Sequence, residues 1–160
     1  MVILFMQYLI IFLISMVPLI ELRGAIPYAI GFKLPLLPSY IICILGNMLP
    51  VPFIFLFARK ILVWGSDKKY IGGFFNWCLK KGERGGKKLQ EKAGRGLYVA
   101  LFLFVGIPLP GTGAWTGTLA ASLLDMDFKK STLAVMCGVV LAGIIMGLVS
   151  GGVFSFIRYV

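Results

Sequence analysis

The stretch P-L-I-E-L-R-G-A-I-P-Y, residues 18–28, places a glutamate and an arginine two positions apart inside an otherwise apolar N-terminal region. Prolines flank the pair, and Glu21 and Arg23 are the only charged residues before Lys33. A charge at membrane depth costs about 2.5 to 3.5 kcal/mol on insertion scales, so a pair kept there is a candidate functional site. A fold that holds this pair must interrupt its first apolar segment here.

The rest of the 160-residue chain is strongly apolar. It is 59% hydrophobic with a mean hydropathy of +0.96, whereas soluble domains are about half apolar. A helix needs about 20 apolar residues to cross about 30 Å of hydrocarbon. Residues 36–58 and 131–157 meet that length, while residues 1–20 and 97–110 stop at proline and glycine clusters. We therefore expect an all-α integral membrane protein.

A second elbow, P-L-P-G-T-G-A-W-T-G at residues 108–117, echoes the first. A shift of about ninety positions places Pro18 on Pro108, and each half then runs from an apolar segment through an elbow and a short segment to a long apolar span. Prolines and glycines oppose a regular helix, and broken backbone at membrane depth needs protein or a water-filled cavity around it. We predict two inverted repeats, each a re-entrant helical hairpin followed by a transmembrane helix.

These repeats define the expected organisation of a single membrane domain. Repeat 1 covers residues 1–60, a connector covers 61–96, and repeat 2 covers 97–160. The second hairpin is expected to turn near Gly111–Gly113, and the first near Glu21–Gly24. Whether residues 1–20 form half of a hairpin or cross the membrane fully stays open, because nothing before Arg23 is charged except Glu21 and the positive-inside rule does not decide this end.

The net charge of +10 is concentrated in the connector and the two residues before it. Eleven of the sixteen basic residues lie between positions 59 and 95. The positive-inside rule places this loop in the cytoplasm, and its apolar and basic residues within 64–92 predict a short interfacial helix. Contact with anionic lipid headgroups explains such a loop better than nucleic-acid binding does.

The last span carries signals for its start and its packing. Asp125 or Asp127 is a candidate N-cap. Glycines at 143, 147 and 151 share one helix face, a pattern typical of close packing between membrane helices. We favour packing within the chain over a homodimer, although a homodimer stays open.

The sequence holds little material for catalysis. Histidine is absent, and the three cysteines, Cys43, Cys78 and Cys137, are far apart. Neither a disulfide framework nor a zinc or haem site is expected, and the nucleophile-elbow and P-loop motifs are missing. We expect no enzyme and no cofactor.

The candidate site lies between the two elbows. Arg23 could receive an anion such as a phosphate, because guanidinium offers planar paired donors, with the elbow amides as further donors. Glu21 could balance the site or carry a coupling proton; alternatively, the two charges only cap and brace the hairpins. Asn47 could bond across helices or line a cavity. The substrate-binding residues expected on this basis are Glu21, Arg23, Gly24, Pro27, Asn47, Pro110, Gly111, Thr112, Gly113, Trp115 and Thr116.

The paired segments E-L-R-G-A-I-P-Y-A-I-G (21–31) and G-I-P-L-P-G-T-G-A-W-T-G (106–117) resemble the small multi-drug export proteins of bacteria and archaea. That family is similar in plan to the DedA and VTT membrane proteins, whose re-entrant hairpins form inverted repeats and are implicated in moving lipids. The resemblance places Glu21 at a first-hairpin acid and Gly31 at a glycine after that hairpin. The second-hairpin arginines of DedA-type proteins are absent here, and Arg23 stands in the first hairpin instead.

The resemblance implies a transporter or flippase of an amphipathic anionic substrate, with a lipid (polyprenyl) phosphate as the expected substrate. A proton-coupled small multidrug exporter is the first alternative, and a non-transporting scaffold or lipid scramblase is the second. The expected partners are membrane lipids, the substrate and protons.

Overall fold

A computed structural model describes residues 2–68, 72–73, 76–77, 80 and 96–159. The regular structure of these residues is α-helical, as predicted. The interfacial helix predicted within residues 64–92 lies largely outside the described residues. The helices are α1 (Val2–Met16), α2 (Glu21–Gly31), α3 (Leu36–Met48), α4 (Pro50–Ser66), α5 (Gly96–Gly106), α6 (Ala114–Leu123) and α7 (Phe128–Tyr159).

Two helical stretches are long and apolar enough to cross a membrane. One is Leu36–Ser66, 31 residues that comprise α3 and α4, and the other is Phe128–Gly152, 25 residues of α7. Leu49, between α3 and α4, keeps helical angles of φ −60° and ψ −43°. Pro50 occupies the first position of α4, where its missing amide hydrogen costs little. Pro50 therefore separates α3 from α4 without a loop between them.

The first elbow lies earlier than predicted. The turn expected at Glu21–Gly24 is wrong, because α1 ends at Met16 and α2 already begins at Glu21. Leu19, between the two helices, has a φ of 71°, which a continuous helix does not allow. The Glu21 amide donates to the Val17 carbonyl across the turn, and the Gly24 amide donates to the Ile20 carbonyl at the start of α2, both at 3.0 Å. Both charges of the pair therefore stand on a helix rather than in a loop.

The short helices α2 and α6 end in the same way. Lys33 and Asp125 adopt φ angles of 57° and 55°, and the amide that follows each donates to the carbonyl five residues earlier, at 3.0 Å. The residues bearing these amides, Leu34 and Met126, are buried. This is the Schellman arrangement with its apolar contact. The two short helices therefore share one kind of C-terminal cap, while the inverted repeat stays a prediction.

The helices of the two halves pack in corresponding pairs. Helix α1 packs on α3, and α5 packs on α7. Each short helix packs on a helix of the other half: α2 packs on α7, and α6 packs on α4. Small side chains such as Ala25, Ala29, Ala114 and Ala121 are fully buried and allow this close approach. The two halves therefore share one core.

The structure of α7 bears on two predictions, the residue that caps its start and the packing of its glycines. The amide of Lys130 donates to Asp127 Oδ1 at 2.9 Å, so Asp127 is the cap. A side chain at Gly143 would meet the Tyr40 ring, whereas one at Gly147 or Gly151 would meet nothing within 4 Å. Packing within the chain therefore accounts for Gly143, and the homodimer stays a prediction.

Candidate functional site

A cavity of about 270 Å³ lies between the two elbows, and we call it the elbow cavity. The four predicted site residues that line it are Glu21, Thr112, Trp115 and Thr116. The other lining residues are apolar: Pro18 and Leu19 from the first elbow, Ile54 from α4 and Leu119 from α6. The structure therefore brings the two elbows together around an apolar space with one carboxylate.

Glu21 caps α6 from the other half of the molecule. Its side chain is 4% exposed. Its Oε1 accepts a hydrogen bond from the Trp115 amide at 3.0 Å, and its Oε2 accepts one from the Ala114 amide at 3.2 Å. The first amides of a helix lack partners within the helix and carry partial positive charge, so a carboxylate there is stabilising. This cap supplies a physical reason for a buried acid at this position.

Gly113 makes room for that cap. A Cβ at this position would lie 2.7 Å from Glu21 Cδ and would overlap Glu21 Oε2. Its φ is 141°, in the region that favours glycine. Glycine is therefore required here for both backbone conformation and space.

Arg23 binds the backbone of the second elbow. Its Nη1 donates to the carbonyls of Leu109 at 2.7 Å and Thr112 at 2.9 Å. Its Nη2 donates to those of Val105 at 3.0 Å and Ile107 at 3.2 Å. The last carbonyls of a helix lack partners within the helix, and α5 ends at Gly106. One guanidinium thus satisfies the end of α5 and the loop that follows it.

Trp115, in the second half of the chain, makes the corresponding contact to the first half. Its indole Nε1 donates to the carbonyl of Met16, the last residue of α1, at 3.1 Å. Arg23 and Trp115 both stand in the first turn of a short helix, and each donates to the end of the first helix of the other half. The two elbows are therefore braced reciprocally.

The threonines of the second elbow lie close to its backbone. The Thr112 hydroxyl is within hydrogen-bonding distance of the carbonyls of Ile107, at 3.0 Å, and Leu109, at 2.9 Å. The Thr116 hydroxyl makes a long contact of 3.4 Å to the Gly113 carbonyl. Thr116 therefore has hydrogen-bonding capacity left for a ligand in the elbow cavity.

Five other predicted residues do not line the elbow cavity. Pro27 is half-buried within α2, and Gly24 packs on the Ile20 side chain. Pro110 and Gly111 are exposed at the tip of the second elbow. Asn47 is buried in α3, and its Oδ1 has no partner among the described residues. None of these five residues is among those that line the elbow cavity.

The apolar lining was missed by sequence reasoning. Ile54 and Leu119 look like any other apolar residue of a membrane helix, and no motif distinguishes them. Ile54 reaches the cavity only because α4 packs on α6. Its role depends on tertiary packing and leaves no local signal in the sequence.

Comparison with known proteins gives the family. A family model described as "Putative small multi-drug export protein" matches residues 21–145. The chain belongs to this family. The match begins at Glu21 and includes both bracing side chains, Arg23 and Trp115. No curated protein and no solved structure matches the chain.

Membership in the small multi-drug export family confirms the resemblance read from the two elbows. Together with the two long apolar helices, it indicates a membrane protein of an export family. The similarity in plan to DedA proteins stays a prediction.

Proposed function

We propose that this chain exports a small amphipathic cation, which binds in the elbow cavity with Glu21 as its ionic contact. The observation that carries the proposal is the lining of that cavity. Among the residues that the structure describes, Glu21 is its one ionisable lining residue, and the walls are otherwise apolar apart from two threonine hydroxyls and an indole. A cavity with this lining suits a ligand that combines hydrocarbon with positive charge.

Glu21 retains the capacity to bind such a ligand while it caps α6. A carboxylate offers about four acceptor positions, and the two amide bonds use two of them. A buried carboxylate is costly unless it is paired, so a cation in the cavity would lower that cost. Trp115 lines the same cavity, and its ring can attract a cation through its face.

The contacts of Arg23 give no support to the expected anionic substrate. All four terminal N–H groups of its guanidinium have backbone carbonyls as acceptors. The first amides of α6, the other expected anion donors, are bonded to Glu21. A lipid phosphate at this place would have to displace these internal bonds. The geometry therefore supports the multidrug exporter over the lipid-phosphate flippase.

A membrane arrangement follows from helix lengths. Helices α5 and α6 have 11 and 10 residues, and at about 1.5 Å per residue each covers roughly half of a 30 Å bilayer core. We propose that the elbows are the tips of re-entrant hairpins that enter from opposite faces, with the cavity near the midplane and the basic connector in the cytoplasm. Protonation of Glu21 would then compete with the substrate and couple export to protons.

Ethidium efflux from proteoliposomes, driven by a pH gradient, tests the proposal. Wild type is expected to move ethidium, and Glu21→Gln, which removes the charge, is expected to abolish the movement. Leu119→Trp should have the same effect because it fills the cavity without touching the α6 cap. Leu133→Trp is the matched control, since Leu133 is 57% exposed on α7 and does not line the cavity.

Two results would refute the cation site. One is efflux by Leu119→Trp at the wild-type rate in protein that melts at the wild-type temperature. The other is equal loss of efflux in the Leu133→Trp control.

A further inference from the structure

A second and larger cavity of about 520 Å³ lies between the second half of α4 and the turn that joins α6 to α7. We call it the α4 cavity. Its walls include the apolar side chains of Phe55, Leu56, Val63 and Trp64, and it shares no lining residue with the elbow cavity. The volume falls within the roughly 300 to 1,000 Å³ typical of ligand sites.

Tertiary contacts fix the walls of the α4 cavity. The Ser122 hydroxyl donates to the Phe55 carbonyl at 2.8 Å and so ties α6 to α4. The Phe55 ring meets the Phe128 ring edge-on, with centroids 5.2 Å apart, which joins α4 to the start of α7. The α4 cavity is therefore a built feature of the fold rather than a gap between loose side chains.

Two lysines stand beside the apolar walls. Lys60 lines the cavity and is exposed. The Lys68 Nζ lies 4.4 Å from the centre of the Trp64 ring. Trp64 is 62% exposed, and an exposed indole flanked by basic residues is typical of the boundary between hydrocarbon and water. Asp125 contributes one carboxylate to the same cavity.

We propose that the α4 cavity binds an anionic phospholipid. An acyl chain lies against Phe55, Leu56 and Val63, and the headgroup phosphate is bound by Lys60 and Lys68. Charge selects the lipid class, because each lysine near the surface favours an anionic headgroup by about fivefold. The site is separate from the elbow cavity, so this proposal stands or falls independently of the export substrate.

Native mass spectrometry of the full chain in detergent micelles tests the site. The protein is titrated with phosphatidylglycerol and with phosphatidylcholine of the same acyl chains. Wild type is expected to retain phosphatidylglycerol preferentially, Lys60→Ala to weaken its binding about fivefold, and the double variant with Lys68→Ala to weaken it about fivefold further. Leu56→Trp should lose the lipid with every charge in place, because the indole fills the cavity.

Lys129→Ala is the matched control. It removes a positive charge from the first turn of α7, outside the α4 cavity, and is expected to leave phosphatidylglycerol binding unchanged. Equal retention of the two lipids would overturn the proposal, as would an equal loss in Lys129→Ala and Lys60→Ala. Displacement of phosphatidylglycerol by inorganic phosphate would also overturn it, because the site would then recognise a free anion rather than a lipid.

Discussion

The end of α5 and the loop after it receive four hydrogen bonds from one guanidinium, whereas the end of α1 receives one from an indole. Each donor stands in the first turn of the short helix of the other half, Arg23 in α2 and Trp115 in α6. The two contacts therefore occupy equivalent places. Hydrogen bonds from a charged donor contribute about 1.5 to 3 kcal/mol each, against about 1 kcal/mol for a neutral one. We infer that the second elbow is the fixed wall of the elbow cavity and the first elbow the more easily opened one.

Arg23→Ala should have the largest effect, because it removes four hydrogen bonds from a charged donor at once. We expect a loss of at least about 3 kcal/mol of stability, seen as a large fall in melting temperature in detergent. Arg23→Lys keeps the charge but loses the planar fork, so its melting temperature should fall between those of wild type and Arg23→Ala. Wild-type melting of Arg23→Ala would show that the brace does not hold the second elbow.

Gly113→Ala should follow, because the added Cβ strains the backbone and also overlaps the Glu21 carboxylate. We expect a loss of about 2 to 3 kcal/mol. Gly111→Ala is its control: that glycine also has a positive φ, of 80°, but has nothing within 4 Å of the added atom, so about 1 kcal/mol is expected. Melting temperatures of the two variants compare the positions directly, and equal losses would contradict the cap by Glu21.

Trp115→Phe should cost less, because it removes one neutral hydrogen bond and keeps an aromatic ring in the cavity. We expect about 1 kcal/mol. Hydrogen exchange provides the sharper measurement: the amides after Met16 should exchange faster in the variant, while those of residues 107–113 should not change. Faster exchange at both elbows would mean that the two braces are not separate.

Lys33→Gly should have the smallest effect, and of the opposite sign. Lys33 has a φ of 57° and is exposed, so glycine should relieve strain and stabilise the protein by about 0.5 to 1 kcal/mol. Lys129→Gly, in the first turn of α7, should destabilise it by a similar amount. A fall in the melting temperature of Lys33→Gly would argue against the C-cap shared by α2 and α6.

The elbows and the long apolar stretches could be predicted from the sequence because their signals are local. Proline and glycine oppose helix wherever they stand, and hydropathy over about 20 residues marks a span without knowledge of its neighbours. The start of α2 could not be placed in this way. Glu21 adopts a φ of 52°, a strained conformation for a residue with a side chain, and its position is fixed by contacts with α6.

The partners of the two charges were beyond sequence reasoning for a related reason. The chain positions of Glu21 and Arg23 do not reveal that the first amides of α6 and the last carbonyls of α5 lie beside them. These contacts join residues 82 to 94 positions apart. The sequence left two roles open for the pair, a binding site or a structural brace. The contacts of Arg23 are those of a brace, whereas Glu21 both caps α6 and lines the elbow cavity.

Equilibrium binding of tetraphenylphosphonium to purified protein tests the central claim most directly, because it depends on neither transport direction nor coupling. Wild type and Leu133→Trp are predicted to bind the cation with equal affinity, and Leu119→Trp is predicted to bind it at least roughly tenfold more weakly. Equal binding by folded Leu119→Trp and wild type would contradict a cation site between the elbows.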